Sequence, residues 1–156
     1  MIKLTRIDDR LLHGQVAFTW TPALGVDCIL VANDKVAGDE FQKMALGLAK
    51  PPGAKLLIKP ITGAISFLND PKNTHQKILV IINSIKDARA LCEEVSEIRS
   101  VNFGGIRNKE GARSISKSVS VTDAEVRLIR EMLDKGLELE VRQVPTESRQ
   151  MLKNLI

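Results

Sequence analysis

Aromatic side chains are rare in this sequence, and tyrosine is absent from it. Phe and Trp together make up 3% of the 156 residues, and the net charge at pH 7 is only +4. A protein that binds single-stranded nucleic acid uses aromatic faces for stacking and a concentrated basic surface. Here Lys and Arg are spread along the chain, so the composition argues against a nucleic-acid partner and suits an anionic ligand or an acidic protein.

Metal ligands and reactive thiols are also scarce. The chain has two histidines and two cysteines, and Cys28 and Cys92 lie far apart with no CxxC or zinc-type spacing. Neither a GxxxxGK[ST] loop nor a GxGxxG loop follows any apolar run, so a nucleotide site is unsupported. We therefore predict a protein without a metal or a cofactor.

Long apolar segments are missing as well. No run approaches the roughly 18 residues that span a bilayer. The N-terminal segment MIKLTRIDDR reaches acidic residues at once and lacks the apolar region of a signal peptide. We expect a cytoplasmic protein that reaches a membrane only through a partner.

Short β-branched apolar runs alternate with longer helical patterns along the chain. The candidate strands are IKLTRI from Ile2, CILVAN from Cys28, AKLLIKP from Ala54, KILVIIN from Lys77, SVNFGG from Ser100, SKSVSV from Ser116 and ELEVRQVP from Glu138. Several are almost continuously apolar, which is typical of parallel strands covered on both faces. The sequence predicts one α/β domain over residues 1–156, with a mainly parallel sheet of about six or seven strands and helices on both faces.

The predicted helices lie between these runs. They are 15–24, 40–49, 62–68, 85–95, 122–133 and 147–152. The fifth has the clearest signals, since Thr122 with Glu125 three residues later forms a capping-box pattern and Gly136 is placed to end the helix.

The segment RIDDRLLHGQV follows the first predicted strand directly. Ligands of open α/β sheets bind beyond the carboxyl ends of the strands, where this segment lies. His13 is a competent nucleophile toward phosphorus, and Arg10 offers a planar fork for phosphate oxygens. Gly14 and Gln15 open a predicted helix whose free N–H groups suit an anion, and Gly14 has no Cβ to hinder its approach.

Two carboxylates precede His13 in the same segment. Asp8 or Asp9 is placed to accept a hydrogen bond from the second imidazole nitrogen and thereby set the tautomer. On composition alone, however, a histidine after a strand is more often a surface or capping residue. Both aspartates also suit a turn, and Arg10 suits a surface ion pair. The position at the carboxyl end of a strand and the lack of a rival site favour the functional interpretation.

Weaker candidates end other strands. Gly104 and Gly105, in the segment NFGGIRNKEG, are predicted to line the same crevice, although a turn also explains two glycines. Asn33 and Ser84 follow the second and fourth strands, where helix capping is the simpler role. His75 lies in the polar stretch NDPKNTHQK and is expected in a solvated loop.

At RIDDRLLHGQV the sequence resembles the IIB component of the mannose/fructose/sorbose family of the bacterial sugar phosphotransferase system. The segments VANDKVAGDEFQKMALGLAKPPGAKL, SVNFGGIRNKEGARSISKSVSV and GLELEVRQVPTE extend the resemblance from Ile2 to about Thr146. It implies a parallel α/β fold in which His13 accepts a phosphoryl group from the phosphohistidine of a IIA protein. His13 would then donate this group to a sugar carried by the membrane components IIC and IID.

The resemblance also assigns roles to neighbouring residues. Arg10 aligns with the family's motif arginine and would bind the phosphoryl group, while Asp9 and Gln15 align with flanking polar positions. IIC and IID would hold the protein at the inner face of the cell membrane. The sugar and the oligomeric state stay open. The alternative is a regulatory module that binds an anion or a protein without chemistry, which would keep its ligand after His13→Gln.

Overall fold

A seven-stranded sheet forms the centre of the protein in the computed structural model, which describes residues 1–156. Its strands are β1 (Ile2–Asp8), β2 (Cys28–Ala32), β3 (Lys55–Lys59), β4 (Ile78–Ile82), β5 (Ser100–Gly105), β8 (Glu138–Val141) and β9 (Gln150–Met151). They are ordered β3-β2-β4-β1-β5-β8-β9. All neighbouring pairs are parallel except β8 and β9, which confirms the predicted α/β class.

The strand order reverses around β1, which lies between β4 and β5. After β1 the chain crosses to β2 on one side, and after β4 it passes to β5 on the other. Such a reversal leaves room between the connections at the carboxyl ends of the central strands. The loops that follow β1 and β5 meet at this position.

Helices cover both faces of the sheet, as predicted. They are α1 (Gly14–Leu24), α2 (Asp34–Ala37), α3 (Glu40–Leu48), α4 (Ile61–Asn69), α5 (Ile85–Glu94) and α6 (Asp123–Asp134). One core of 26 buried residues joins α4, α5 and α6 to the sheet, and a second core of 12 lies under α1 on the opposite face. None of the helices has the length and apolar character needed to cross a bilayer.

The capping box of α6 is present as predicted. The Glu125 amide donates to the Thr122 hydroxyl at 3.2 Å, and the Thr122 amide donates to the Glu125 carboxylate at 2.9 Å. After the helix, Gly136 takes φ 86°, a conformation that glycine adopts without strain. These local signals therefore set both ends of α6.

Two predicted elements differ in the structure. The run from Ser116 is a strand only as β7 (Ser120–Thr122), which pairs with β6 (Ala112–Ser114) in a separate antiparallel hairpin. The helix predicted at 147–152 is wrong, because Met151 pairs with Glu140 of β8 and Leu152 is fully buried in a single 3₁₀ turn. Edge pairing and burial of Leu152 replace the helix that the local pattern suggests.

Candidate functional site

The loop after β1 is a tight turn organised by Asp8. The amide of Arg10 donates to Asp8 Oδ1 at 3.0 Å, and the amide of Leu11 donates to the Asp8 carbonyl at 2.9 Å. Leu11 takes φ 58°, which is unfavourable for a residue with a Cβ, but its side chain is buried with that of Leu12 in the core under α1. Burial of these leucines anchors the turn and delivers His13 to the first position before α1.

His13 is the N-cap residue of α1, yet its side chain makes no capping bond. Its Nε2 lies 2.9 Å from Asp8 Oδ2, and 12% of the side chain is exposed. Because a carboxylate only accepts, Nε2 carries the proton in this contact. In the neutral ring the lone pair is then on Nδ1, which has no hydrogen-bond partner in the protein.

The structure places Asp8, rather than Asp9, against the imidazole. Asp9 faces the loop after β5, where its Oδ2 accepts from the Arg107 amide at 2.8 Å and from Arg107 Nε at 3.0 Å. The Asp9 amide in turn donates to the carbonyl of Gly105 at 2.9 Å. Asp9 therefore ties the two loops together without contacting the ring of His13.

A crevice of about 470 Å³ opens between these two loops. The predicted residues that line it are Asp8, Asp9, Arg10, His13, Gln15, Gly104 and Gly105. The Arg10 side chain is exposed and has no partner within the protein, so its guanidinium is free to bind a ligand. The amide groups of Gly14, Gln15 and Val16 have no backbone acceptor, and they mark the positive end of α1.

Asn33 and Ser84 lie outside this crevice. The side chain of Asn33 accepts from the Val36 amide at 2.9 Å and caps α2. The hydroxyl of Ser84 accepts from the Asp87 amide at 3.1 Å and caps α5. Each of these side chains thus caps the helix that follows its strand.

The crevice also contains residues that the sequence analysis did not single out. Arg6, Ile106, Arg107, Asn108, Lys117, Ser118, Ser120 and Gln143 complete its lining. Side chains alternate between the two faces of a strand, so Arg6 and Asp8 lie on the same face of β1. This spacing in the sequence is a signal that could have identified Arg6. Arg107 follows the glycine pair closely, so its position was a local signal as well, whereas Lys117 and Gln143 come from distant segments and carry no local signal.

Arg6 is an almost fully buried cation beneath the crevice. Its Nη2 donates to Asp8 Oδ2 at 3.1 Å, and its Nη1 donates to Asn102 Oδ1 at 2.9 Å and to the Arg142 carbonyl at 3.2 Å. Its guanidinium also lies 5.4 Å from the centre of the buried Trp20 ring. Burial lowers the pKa of Arg6, and the charge and hydrogen bond of Asp8 oppose that effect.

Gly104 makes room for this guanidinium. The pairing of β1 with β5 shifts between Ile7 and Asp8, so Asp8 aligns with Gly105 and Gly104 is left unpaired opposite the Arg6 side chain. A Cβ on Gly104 would lie 2.1 Å from Arg6 Cζ. The first of the two glycines is therefore explained by close contact with a buried side chain, since its φ is not positive.

The cysteines are remote from this chemistry. Cys28 is buried within β2, and burial raises the pKa of its thiol. Cys92 lies on α5, where burial and the charge of Glu93 raise its pKa to about 11. Neither thiol is a reactive nucleophile at neutral pH.

Comparison with known proteins identifies the family of the chain. The family model described as the PTS system sorbose subfamily IIB component matches residues 2–156. The chain belongs to this family. PTS denotes the phosphotransferase system, so the resemblance predicted from RIDDRLLHGQV is confirmed.

Individual members of the family are similar to this chain over nearly its whole length. The sorbose-specific EIIB component of Lacticaseibacillus casei is 33% identical over 147 residues, covering 94% of this chain and 90% of the relative. The IIBSor domain of the sorbose permease from Klebsiella pneumoniae has a crystal structure with TM-score 0.93 and 27% identity, and the match covers 99% and 94% of the two chains. This IIB component therefore shares both the sequence pattern and the fold of the family.

A longer relative matches over the full chain. The mannose-specific EIIAB component of Escherichia coli K12 is 35% identical over 156 residues, which are all of this chain and 48% of the relative. The chain thus spans about half the length of the curated relative that it matches. IIB components of this family are sugar phosphotransferase domains.

Proposed function

We propose that this IIB component is a phosphocarrier that accepts a phosphoryl group on His13 Nδ1 and transfers it to a sugar. One observation carries the proposal: Asp8 binds Nε2 at 2.9 Å, which leaves the Nδ1 lone pair free at the positive end of α1. The proposal covers residues 1–156 as one phosphocarrier domain. It needs no metal and no cofactor, because the donor is itself an activated phosphohistidine.

The first step is an in-line transfer between two imidazoles. Nδ1 of His13 attacks phosphorus, the P–N bond of the donor histidine breaks, and its electron pair returns to the donor ring. The acceptor ring becomes an imidazolium whose positive charge is balanced by Asp8 through the Nε2 proton. Arg10 and the amides of Gly14 and Gln15 would bind the phosphoryl oxygens, so the protein contributes mainly position and charge.

The second step passes the group to the sugar. A sugar hydroxyl oxygen attacks phosphorus, the bond from phosphorus to His13 Nδ1 breaks, and the hydroxyl proton is released to the surrounding water. The phosphorus keeps its oxidation state, and the neutral imidazole is regenerated for another cycle. The P–N bond of phosphohistidine is labile, so its cleavage drives this transfer without a nucleotide.

The donor is proposed to be a phosphorylated IIA protein, and the sugar is proposed to arrive through membrane components IIC and IID. The EIIAB name of the relative from Escherichia coli supports a IIA partner. Arg10, Arg107 and Lys117 are exposed around the crevice, which suits a partner that presents a phosphoryl group and acidic residues. A cytoplasmic location, at the inner face of the membrane through IIC and IID, follows from these partners.

Phosphoryl transfer from phosphoenolpyruvate, through the general phosphotransferase proteins and a cognate IIA, tests the proposal by intact mass. We expect one acid-labile, base-stable phosphoryl group that is lost in His13→Ala and kept in His75→Ala, since His75 is exposed in a distant loop. Arg10→Ala should slow the transfer about 10- to 100-fold, the effect of losing one charge-assisted hydrogen bond of about 1.5–3 kcal/mol. A phosphorylated IIA that never labels the wild type would contradict the carrier role and favour the binding module.

A further inference from the structure

The buried cation Arg6 and the imidazole of His13 bind the same oxygen atom. Arg6 Nη2 lies 3.1 Å and His13 Nε2 lies 2.9 Å from Asp8 Oδ2, while Asp8 Oδ1 accepts from the Arg10 amide. The Arg6 and Asp8 side chains are 1% and 4% exposed, so this ion pair is almost free of solvent screening. The carboxylate that orients His13 is thus already neutralised from the side opposite the crevice.

This arrangement determines how strongly Asp8 attracts a second proton to the imidazole. A carboxylate with no other counter-charge stabilises an imidazolium and would keep Nδ1 protonated, which removes the nucleophile. A carboxylate already paired with a guanidinium attracts that proton less, yet still accepts the Nε2 hydrogen bond. The Arg6–Asp8 pair therefore favours a neutral ring with a free lone pair on Nδ1.

The guanidinium is held in place by groups on β5, just after β8 and on α1. Asn102 on β5 and the Arg142 carbonyl after β8 accept from Nη1, and the Trp20 ring on α1 lies beside it. Gly104 leaves the space that the group occupies. Arg6 is therefore contacted from several sides by buried groups, which is what a residue that sets the state of its neighbour requires.

We propose that Arg6 is a positioning residue that acts through Asp8 to hold His13 as the neutral Nε2–H tautomer, ready to accept a phosphoryl group. The inference rests on the proposed function, since it concerns the preparation of the same imidazole. Arg6 itself stays beneath the crevice and need not contact the transferred group. Other charged groups that face the pair are Asp9, Arg10, Arg107, Lys117, Glu140, Arg142 and Glu147.

Arg142→Met is the matched control for Arg6→Met. Arg142 also lies against the Trp20 ring, at 4.9 Å, and pairs with the buried Glu140 at 3.2 Å, but its side chain does not contact Asp8. Both variants remove one guanidinium from the same polar layer, and all the other charges around His13 stay in place. A loss of stability caused by the missing guanidinium affects both variants. A change in the protonation state of the His13 ring is expected only in Arg6→Met.

The first experiment is ¹⁵N NMR of the imidazole rings in the wild type and the two variants, with His75 as an internal exposed reference. The wild type should show the Nε2–H tautomer at neutral pH. In Arg6→Met, the ¹⁵N shifts of the His13 ring should move toward those of the doubly protonated form at the same pH, because Asp8 has lost its other counter-charge. Arg142→Met should give the wild-type spectrum, and Arg6→Lys should lie between the wild type and Arg6→Met.

The second experiment is the pH profile of phosphoryl transfer from phosphorylated IIA to each variant. The rate deficit of Arg6→Met should be largest at low pH and should close in alkaline buffer, where the ring is neutral in every variant. A uniform rate loss at every pH, or an equal change of the His13 ¹⁵N shifts in Arg142→Met, would overturn the inference. The inference is also overturned, whether or not the variants fold, if the Nδ1–H tautomer predominates in the wild type. The NMR comparison of wild type and variants tests the role of Arg6 even if His13 accepts no phosphoryl group.

Discussion

Substitution of Gly104 by alanine tests the close packing beneath His13. The new Cβ would lie 2.1 Å from Arg6 Cζ and 2.2 Å from its Nη2. Carbon atoms in contact stand about 3.5 Å apart, so the guanidinium must retreat by roughly 1.4 Å. That movement lengthens the 3.1 Å bond to Asp8 beyond hydrogen-bonding distance or breaks the 2.9 Å bond to Asn102.

Gly104→Ala should lower the free energy of unfolding by about 3–5 kcal/mol, which is the cost of leaving a buried charge without its partner. This is a large part of the roughly 5–15 kcal/mol by which a typical domain is stable, and it corresponds to a fall in Tm of roughly 6–20 °C. Urea unfolding and thermal unfolding followed by circular dichroism measure both quantities. Gly105→Ala is the matched control, since its Cβ would meet only Asp8 Oδ1 at 3.9 Å, and its free energy of unfolding should change by less than about 1 kcal/mol.

A double-mutant cycle identifies the cause of the loss. If the clash with the Arg6 side chain is responsible, adding Gly104→Ala to Arg6→Ala should cost little beyond Arg6→Ala alone, because Nε, Cζ and Nη2 are then all absent. Additive losses would place the effect of Gly104→Ala elsewhere in β5. Equal stability of Gly104→Ala and Gly105→Ala would refute the packing argument directly.

Two further predictions concern the cysteines and the cap of α6. The pKa of Cys92 is raised to about 11 and Cys28 is buried, so iodoacetamide at pH 7.5 should modify neither thiol of the folded protein, as detected by mass spectrometry. The urea-unfolded chain should be labelled under the same conditions. Rapid labelling of the folded protein would contradict this prediction. Burial opposes ionisation of Glu125, but hydrogen bonds from Lys109 and the Thr122 amide outweigh it and lower the pKa of Glu125. A lowered pKa stabilises the folded state above the ordinary Glu value of about 4.3, so Glu125→Gln, which keeps the capping bond and loses the charge, should cost about 0.3–1 kcal/mol in urea unfolding at pH 7 and progressively less as the pH falls below that value. A cost that does not change with pH would refute the assignment.

Local sequence signals predicted the elements around the site well. The apolar runs of β1, β2 and β4, the turn at Asp8 and the start of α1 all depend on residues that are neighbours along the chain. The same holds for the capping box at Thr122, whose two hydrogen bonds span only three residues. Predictions differ at 116–121, where the strand begins only at Ser120 and pairs with the nearby β6, and at 147–152, where Met151 pairs with Glu140 of β8.

Local patterns along the chain predict the alternation of strands and helices and place His13, Arg10 and Asp8 in one loop at the end of the first strand. The folded arrangement was needed to show that Asp8 rather than Asp9 contacts the imidazole, and that Arg6 lies behind Asp8. The order of parallel strands brings Asn102 and Gly104 beside Arg6 although about a hundred residues separate them in the chain. Strand order depends on how helices pack on both faces of the sheet, and no short segment encodes that packing.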